Sequence, residues 1–250
     1  MGYILCKYTK QKTGLCFIFV LQIYNMRILI VAATQGEIAP LFNMESSEAW
    51  PAGATQPQAT PHDLRLLITG VGMVATAFAL GRHLAQSQYD LAINLGIAGS
   101  FDRNIALGEV VEVTSDIIAE LGAEDDESFL SIEQLGFGES IFNASASLSN
   151  LFSQGAPADS KLLVKKAVSI TVNSVHGNDN AIRKITERLN PQIESMEGAA
   201  FFYACKQAGV PCLQIRAVSN YVEKRNRSNW QIGLAIKNLN TFANEFLSSL

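Results

Sequence analysis

Three segments of this chain carry residue types that could do chemistry together. Ser195-Met196-Glu197-Gly198-Ala199-Ala200 puts a carboxylate at the mouth of a predicted helix, with a thioether beside it. Arg216-Ala217-Val218-Ser219-Asn220 holds a cation inside an apolar, β-rich run and an amide at its end. Glu37 follows the first apolar run through Thr34-Gln35-Gly36. A carboxylate accepts hydrogen bonds from sugar hydroxyls, a thioether packs on a sugar face, and an amide can read a purine edge. Such a set could grip a ribose and its base. The arginine in Cys212-Leu213-Gln214-Ile215-Arg216-Ala217-Val218 would be costly to bury without a partner, which marks it as a candidate site residue. An acid at a helix start often does no more than complement the helix dipole, but Glu37 also sits at the carboxyl end of a strand.

Two glycine-rich segments stand between these sets. Gly70-Val71-Gly72-Met73-Val74-Ala75 follows a predicted strand and opens a helix, so it formally matches the dinucleotide fingerprint. The acid that should then hold a ribose ought to end the next strand, whereas Asp90 precedes it. That strand ends instead in Asn94-Leu95-Gly96-Ile97-Ala98-Gly99-Ser100, read as a second glycine loop. Both loops suit close approach of backbone to a ligand, and either alone could be a plain tight turn. His176, in Asn173-Ser174-Val175-His176-Gly177-Asn178, falls on a loop after a strand and reads as an ordinary loop histidine.

The elements that must position these residues alternate in type. Hydrophobic patterning predicts strands over 27–33, 65–69, 91–95, 110–114, 167–172 and 212–219, and helices over 73–86, 180–189, 198–208 and 230–248. In the last helix Ile232, Ala235, Ile236, Leu239, Phe242 and Phe246 recur at helical spacing as a core-facing stripe. Residues 51–61 read as a polar loop, and the acidic run Glu124-Asp125-Asp126-Glu127 as a solvated loop within 122–138. Alternating β and α elements imply a three-layer α/β/α sandwich with its site at the carboxyl ends of strands.

Composition narrows the function. With 250 residues, 48% hydrophobic and 17% charged, the chain suits one α/β domain with ample core. A net charge of -4 offers no basic face for nucleic acid or an anionic membrane. Cys6, Cys16, Cys205 and Cys212 form no CxxC, and His62, His83 and His176 are scattered, so no metal site is expected. A reducing cytoplasm is the default expectation. The start of the chain imitates a signal peptide, with Lys7, Lys10 and Lys12 before Leu15-Cys16-Phe17-Ile18-Phe19-Val20-Leu21, but lacks a small-x-small cleavage site. Residues 1–25 read as an upstream extension, with a targeting or anchoring segment as the alternative, and 26–250 as the catalytic domain, with Met26 as the functional first residue.

Taken in order, these positions resemble the nucleoside phosphorylase and nucleosidase superfamily over residues 26–250. Aligned on its methylthioadenosine nucleosidase branch, Met26-Arg27-Ile28 fits the amino terminus, and Glu37 falls on the acid that activates the hydrolytic water. Thr69-Gly70-Val71-Gly72 and Asn94-Leu95-Gly96-Ile97-Ala98-Gly99 look like its glycine loops, Met196-Glu197 like its ribose-binding pair, and Arg216-Ala217-Val218-Ser219 like the strand before its catalytic acid. Nothing is carried over across 43–62 and 116–160. The resemblance implies a central mixed sheet, a nucleoside substrate, no cofactor and a homo-oligomer. It assigns catalysis to Glu37, Asn220 and Arg216, and substrate binding to Met196, Glu197, Ile97, Ala98, Gly99 and Val175.

The departures carry information. Asn220 stands where that branch has aspartate, Ser195 where it has an acid, and Ile97 where it has a small polar residue. Asparagine cannot supply a proton to a leaving adenine, but its amide can donate to a 6-oxopurine. Segments 194–202 and 219–223 are most similar to the futalosine hydrolase branch, which implies hydrolysis of futalosine to hypoxanthine in menaquinone biosynthesis. Futalosine carries an aromatic carboxylate on its sugar extension, for which Arg225 and Arg227 of Lys224-Arg225-Asn226-Arg227 are the nearby cationic candidates. A methylthioadenosine nucleosidase, a phosphorylase, a non-catalytic nucleoside-binding module and a dinucleotide-dependent oxidoreductase remain as alternatives at this point.

Overall fold

The structure, a computed structural model, describes residues 25–42, 62–151, 162 and 164–250. The apolar amino-terminal run and the polar loop 51–61 lie outside the described residues. β1 (Arg27–Ala32) leads into the one-turn helix α1 (Gln35–Ile38), then β2 (Asp63–Ile68) and α2 (Met73–Leu84). The long strands β3 (Leu91–Ser100) and β4 (Val110–Ile118) follow. Short β5 (Gly122–Asp125), β6 (Ser128–Ser131), β7 (Ile141–Asn143) and α3 (Leu148–Leu151) precede β8 (Lys165–Thr171) and α4 (Asp179–Leu189). β9 (Ile193–Ser195), α5 (Gly198–Ala208), β10 (Cys212–Tyr221) and α6 (Ile232–Ser249) complete the described chain.

Why β1 is apolar throughout is clear from its neighbours. Ile28, Ile30 and Ala32 pack with Leu239, Phe242 and Phe246 of α6, while Leu29 and Val31 pack with Leu80 of α2 and Phe201 and Phe202 of α5. Alternate residues of a strand face opposite ways, so a strand covered by helices on both faces needs apolar side chains at every position. The expected α/β/α layering is therefore present. β2, β1, β3 and β10 run parallel, β4 joins β10 antiparallel, and β8 joins β4 in parallel. β9 then bridges from β8 to β3, so the mixed sheet closes into a ring of β3, β10, β4, β8 and β9. Among the described residues no helix is long and apolar enough to cross a membrane.

Three elements depart from the sequence reading. The second glycine loop is strand, because β3 runs through Gly96 and Gly99 to Ser100. Its glycines serve neighbours across the sheet rather than a turn: Gly96 pairs with Arg216, and Gly99 with both Asn220 and Glu194. β10 likewise runs past Ser219 to Tyr221, with a register shift between Val218 and Asn220. Such a bulge re-aims the side chain that follows it. The acidic run is exposed as expected, but Glu124 and Asp125 end β5 and only Asp126 and Glu127 make the turn to β6, with Asp126 at φ 53.

Candidate active site

β10 places Arg216 in mid-sheet, where it is 1% exposed. A side chain added at its cross-strand partner Gly96 would stand 2.0 Å from Arg216 Nη1 and 3.0 Å from Glu37 Oε1. The missing side chain is what leaves room over β3 for both the guanidinium and the Glu37 carboxylate. Arg216 Nη1 lies 3.8 Å from Glu197 Oε2, and Nη2 donates to Gln214 Oε1 at 3.2 Å. Glu197 Oε1 accepts from Gly72 N at 3.0 Å. Gly72 has φ 97, a conformation that favours glycine, so the first glycine motif turns its N–H toward an acid of the site. That use replaces the dinucleotide reading of Gly70-Val71-Gly72.

Glu37 is held on three sides. Its Oε2 accepts from Thr34 N at 2.9 Å and Thr34 Oγ1 at 3.1 Å, and its Oε1 accepts from Ile97 N at 3.2 Å. Burial pushes its pKa above the ordinary value of 4.5; Arg216 and the Ile97 and Thr34 N–H groups pull it back, and Glu197 adds to the rise. Asn240 of α6 fixes the backbone here, donating to Glu37 O at 2.8 Å and accepting from Leu41 N at 2.9 Å. A buried carboxylate with a raised pKa is suited to take a proton from water.

Behind this pair runs a buried polar chain. Gln214 Nε2 donates to Asp116 Oδ2 at 2.9 Å, and Thr171 Oγ1 donates to Asp116 Oδ1 at 2.7 Å. Arginine only donates and a carboxylate only accepts, so the Gln214 amide has a single workable orientation between Arg216 and Asp116. Complete burial pushes the Asp116 pKa up to about 6. Gly198 makes room, since a side chain there would stand 2.0 Å from Asp116 Oδ2 and 2.3 Å from Gln214 Oε1. One guanidinium thus lies beside Glu197 and acts as a charge on Glu37 and Asp116, both disfavoured as anions by desolvation.

Three residues along β3, about 10 Å away, Gly99 organises the other end of the cavity. A side chain there would meet Asn220 Nδ2 at 3.2 Å and Glu194 Cγ at 3.6 Å. Asn220 Oδ1 accepts from Ser219 Oγ at 2.8 Å, and its Nδ2 donates to Tyr221 O at 3.1 Å. This leaves a second N–H on that amide. Glu194, 3% exposed, accepts from His176 N at 3.0 Å through Oε1, and its Oε2 lies 2.7 Å from His176 Nδ1.

Between the two ends lies a cavity of about 340 Å³. Its wall includes Glu37, Ile97, Ala98, Gly99, Val175, Met196, Glu197, Asn220 and Arg225 of the residues anticipated from sequence. Arg216 is not on the wall; it is buried behind it, 3.8 Å from Glu197. Arg227 is not brought to the wall; its guanidinium lies 5.8 Å from the Trp230 ring, on which Arg225 also rests at 5.0 Å. Ser195, also on the wall, accepts from Gly198 N at 3.3 Å and so serves the start of α5. The sequence reading missed Asp116, Gln214, Glu194 and Asn240, and it read His176 as bland. Gln214 carried a signal: it lies two residues before Arg216, hence on the same face of one strand.

The sequence pattern of the Phosphorylase superfamily matches residues 27–248. A futalosine hydrolase of Streptomyces coelicolor is 32% identical over 220 residues, covering 84% of this chain and 91% of that one. The futalosine hydrolase of Thermus thermophilus is 30% identical over 177 residues, covering 69% of this chain and 76% of that one. The solved 5'-methylthioadenosine/S-adenosylhomocysteine nucleosidase of Colwellia psychrerythraea, in complex with adenine, shares the fold. It gives a TM-score of 0.72 at 22% identity, covering 91% of this chain and 96% of that one.

Proposed function

This chain belongs to the phosphorylase superfamily, and we propose that it is a hydrolytic nucleosidase that cleaves futalosine to dehypoxanthine futalosine and hypoxanthine, a step of menaquinone biosynthesis. The observation that carries this reading is the polarity of the cavity along β3. Two buried carboxylates, Glu37 and Glu197, occupy the Gly96 end, and an amide with an unspent N–H occupies the Gly99 end. A phosphate nucleophile would meet those two acids and be repelled, whereas water can be activated by one of them. That favours hydrolysis over phosphorolysis.

N-ribosidic cleavage passes through an oxocarbenium-like sugar and needs water on one face and a leaving base on the other. In our reading Glu37 takes the proton of that water. Glu197, tied by Gly72 N and facing Arg216, receives the ribose hydroxyls through its remaining acceptor sites. Met196 packs on the sugar. Ile97, Ala98 and Val175 form the apolar wall beside the base, and the free N–H of Asn220 meets charge gathering on the departing 6-oxopurine. Incubation with futalosine, inosine and methylthioadenosine, each with and without phosphate, tests the reading. Phosphate-independent release of hypoxanthine from futalosine supports it; adenine release from methylthioadenosine alone would replace it with the rival nucleosidase.

Two substitutions follow. Asn220→Asp exchanges an amide donor for a carboxyl acid, and the preference for 6-oxo over 6-amino purine should fall about tenfold, as expected for one hydrogen bond. Competition between hypoxanthine and adenine nucleosides measures it, and unchanged selectivity would sink the assignment of Asn220. Arg225→Ala should raise KM for futalosine about fivefold, the ceiling for one exposed ion pair, while KM for inosine stays put. Arg227, away from the wall, should matter less. If KM for futalosine moves in neither variant, the substrate tail binds elsewhere.

A further inference from the structure

The cavity has a base end with no evident source of a proton. When the ribosidic bond breaks, its electron pair goes to the base, and a departing 6-oxopurine leaves far more readily if it is protonated at that moment. The Asn220 amide can polarise the base but has no proton to give up. Against the same glycine that accommodates Asn220 lies Glu194, and both oxygens of that buried carboxylate are spent on His176.

We propose that His176, clamped by Glu194, is the proton donor to the leaving base. The inference rests on the hydrolytic reading above. Glu194 accepts the His176 backbone N–H and faces Nδ1, so the loop after β8 and the imidazole ring are pinned by one group. A carboxylate can only accept, which places a hydrogen on Nδ1 and leaves Nε2 as the nitrogen free to exchange a proton with a ligand. Phe101 meets the ring edge-on at a centroid distance of 6.0 Å, and His176 lines the cavity with its side chain 15% exposed. This is the arrangement of an imidazole oriented by a carboxylate behind it, as in other acid–base dyads.

The step balances. The bond between the sugar carbon and the base nitrogen breaks, and its electron pair stays on the base. The Nε2 proton of the imidazolium passes to the base, while water forms the new bond to the sugar carbon and yields its proton to Glu37. The products are the free sugar and the neutral base. Return of the Glu37 proton to His176 through solvent resets the pair.

His176→Asn is the informative variant, because the asparagine amide can keep the Nδ1-type bond to Glu194 while Nε2 is deleted. With futalosine, kcat should fall about 100-fold with KM little changed, within the usual range for general acid catalysis. With N7-methylated futalosine, whose base departs neutral without an added proton, the same variant should match the parent. Glu194→Gln should show the same contrast to a smaller degree. Equal losses on both substrates mean that His176 is only a loop anchor, and no loss on either means that it is a bystander; each result overturns the proposal. Failure of the parent protein to cleave either substrate would instead overturn the hydrolytic reading, which is visible before any variant is made.

Discussion

Glu37→Gln is expected to lower kcat by about 10²–10⁴-fold while substrate binding persists, because a general base contributes roughly that much. The amide cannot take a proton from water. Its NH₂ must also face a backbone donor, since Thr34 N and Ile97 N address the two oxygens of Glu37 separately. Loss of one such bond costs about 1–3 kcal/mol of stability, which a melting curve reports apart from the rate. The same residue sets the acid limb of activity. The base works only when ionised, and burial places its pKa above 4.5, so activity should fall with decreasing pH at values higher than an ordinary glutamate would give. A Glu37→Gln enzyme with near-parent kcat would remove Glu37 from the chemistry.

The second large effect comes from a residue with no side chain. In Gly96→Ala the new methyl would stand 2.0 Å from Arg216 Nη1 and 3.1 Å from Arg216 Cζ, with Glu37 Oε1 at 3.0 Å. Arginine is flexible, but this one is 1% exposed and held by Glu197 and Gln214, so moving it breaks those contacts. Overpacking costs about 1–3 kcal/mol, and pulling a buried cation from its partners costs about 3–5 kcal/mol. We therefore expect a marked drop in melting temperature together with loss of hydrolysis. Gly81→Ala, in mid-α2 with open space around it, is the control and should gain about 0.5–1 kcal/mol. A Gly96→Ala protein as stable and active as its parent would mean that the guanidinium does not need to lie over β3.

Much of this site is legible in the sequence. Glu37, Glu197 and Asn220 stand at ends of predicted elements, where strand and helix termini converge in layered α/β proteins. An arginine in an apolar strand announces an acidic neighbour, because nothing else makes its burial tolerable. β1 declared its two covered faces by being apolar at successive positions. The glycine-rich stretch after Leu95 misled for an equally plain reason. Glycine is the commonest mark of a turn, and it is also what a strand needs where a neighbouring side chain must cross over it. Only the partner distinguishes the two, and Arg216 lies 120 residues away in sequence.

Read alone, the sequence specifies the layered α/β architecture, the residue types at both ends of the cavity, and an amide rather than an acid at its Gly99 end. Those are properties of local pattern and of side-chain chemistry. The closure of the sheet through β9, the place of Asp116 and Gln214 behind Arg216, and the grip of Glu194 on His176 beside Asn220 emerge only from the folded chain. Each of these is a pairing between distant segments. What a buried polar side chain does is set by the partner that compensates its desolvation, and no local pattern names that partner.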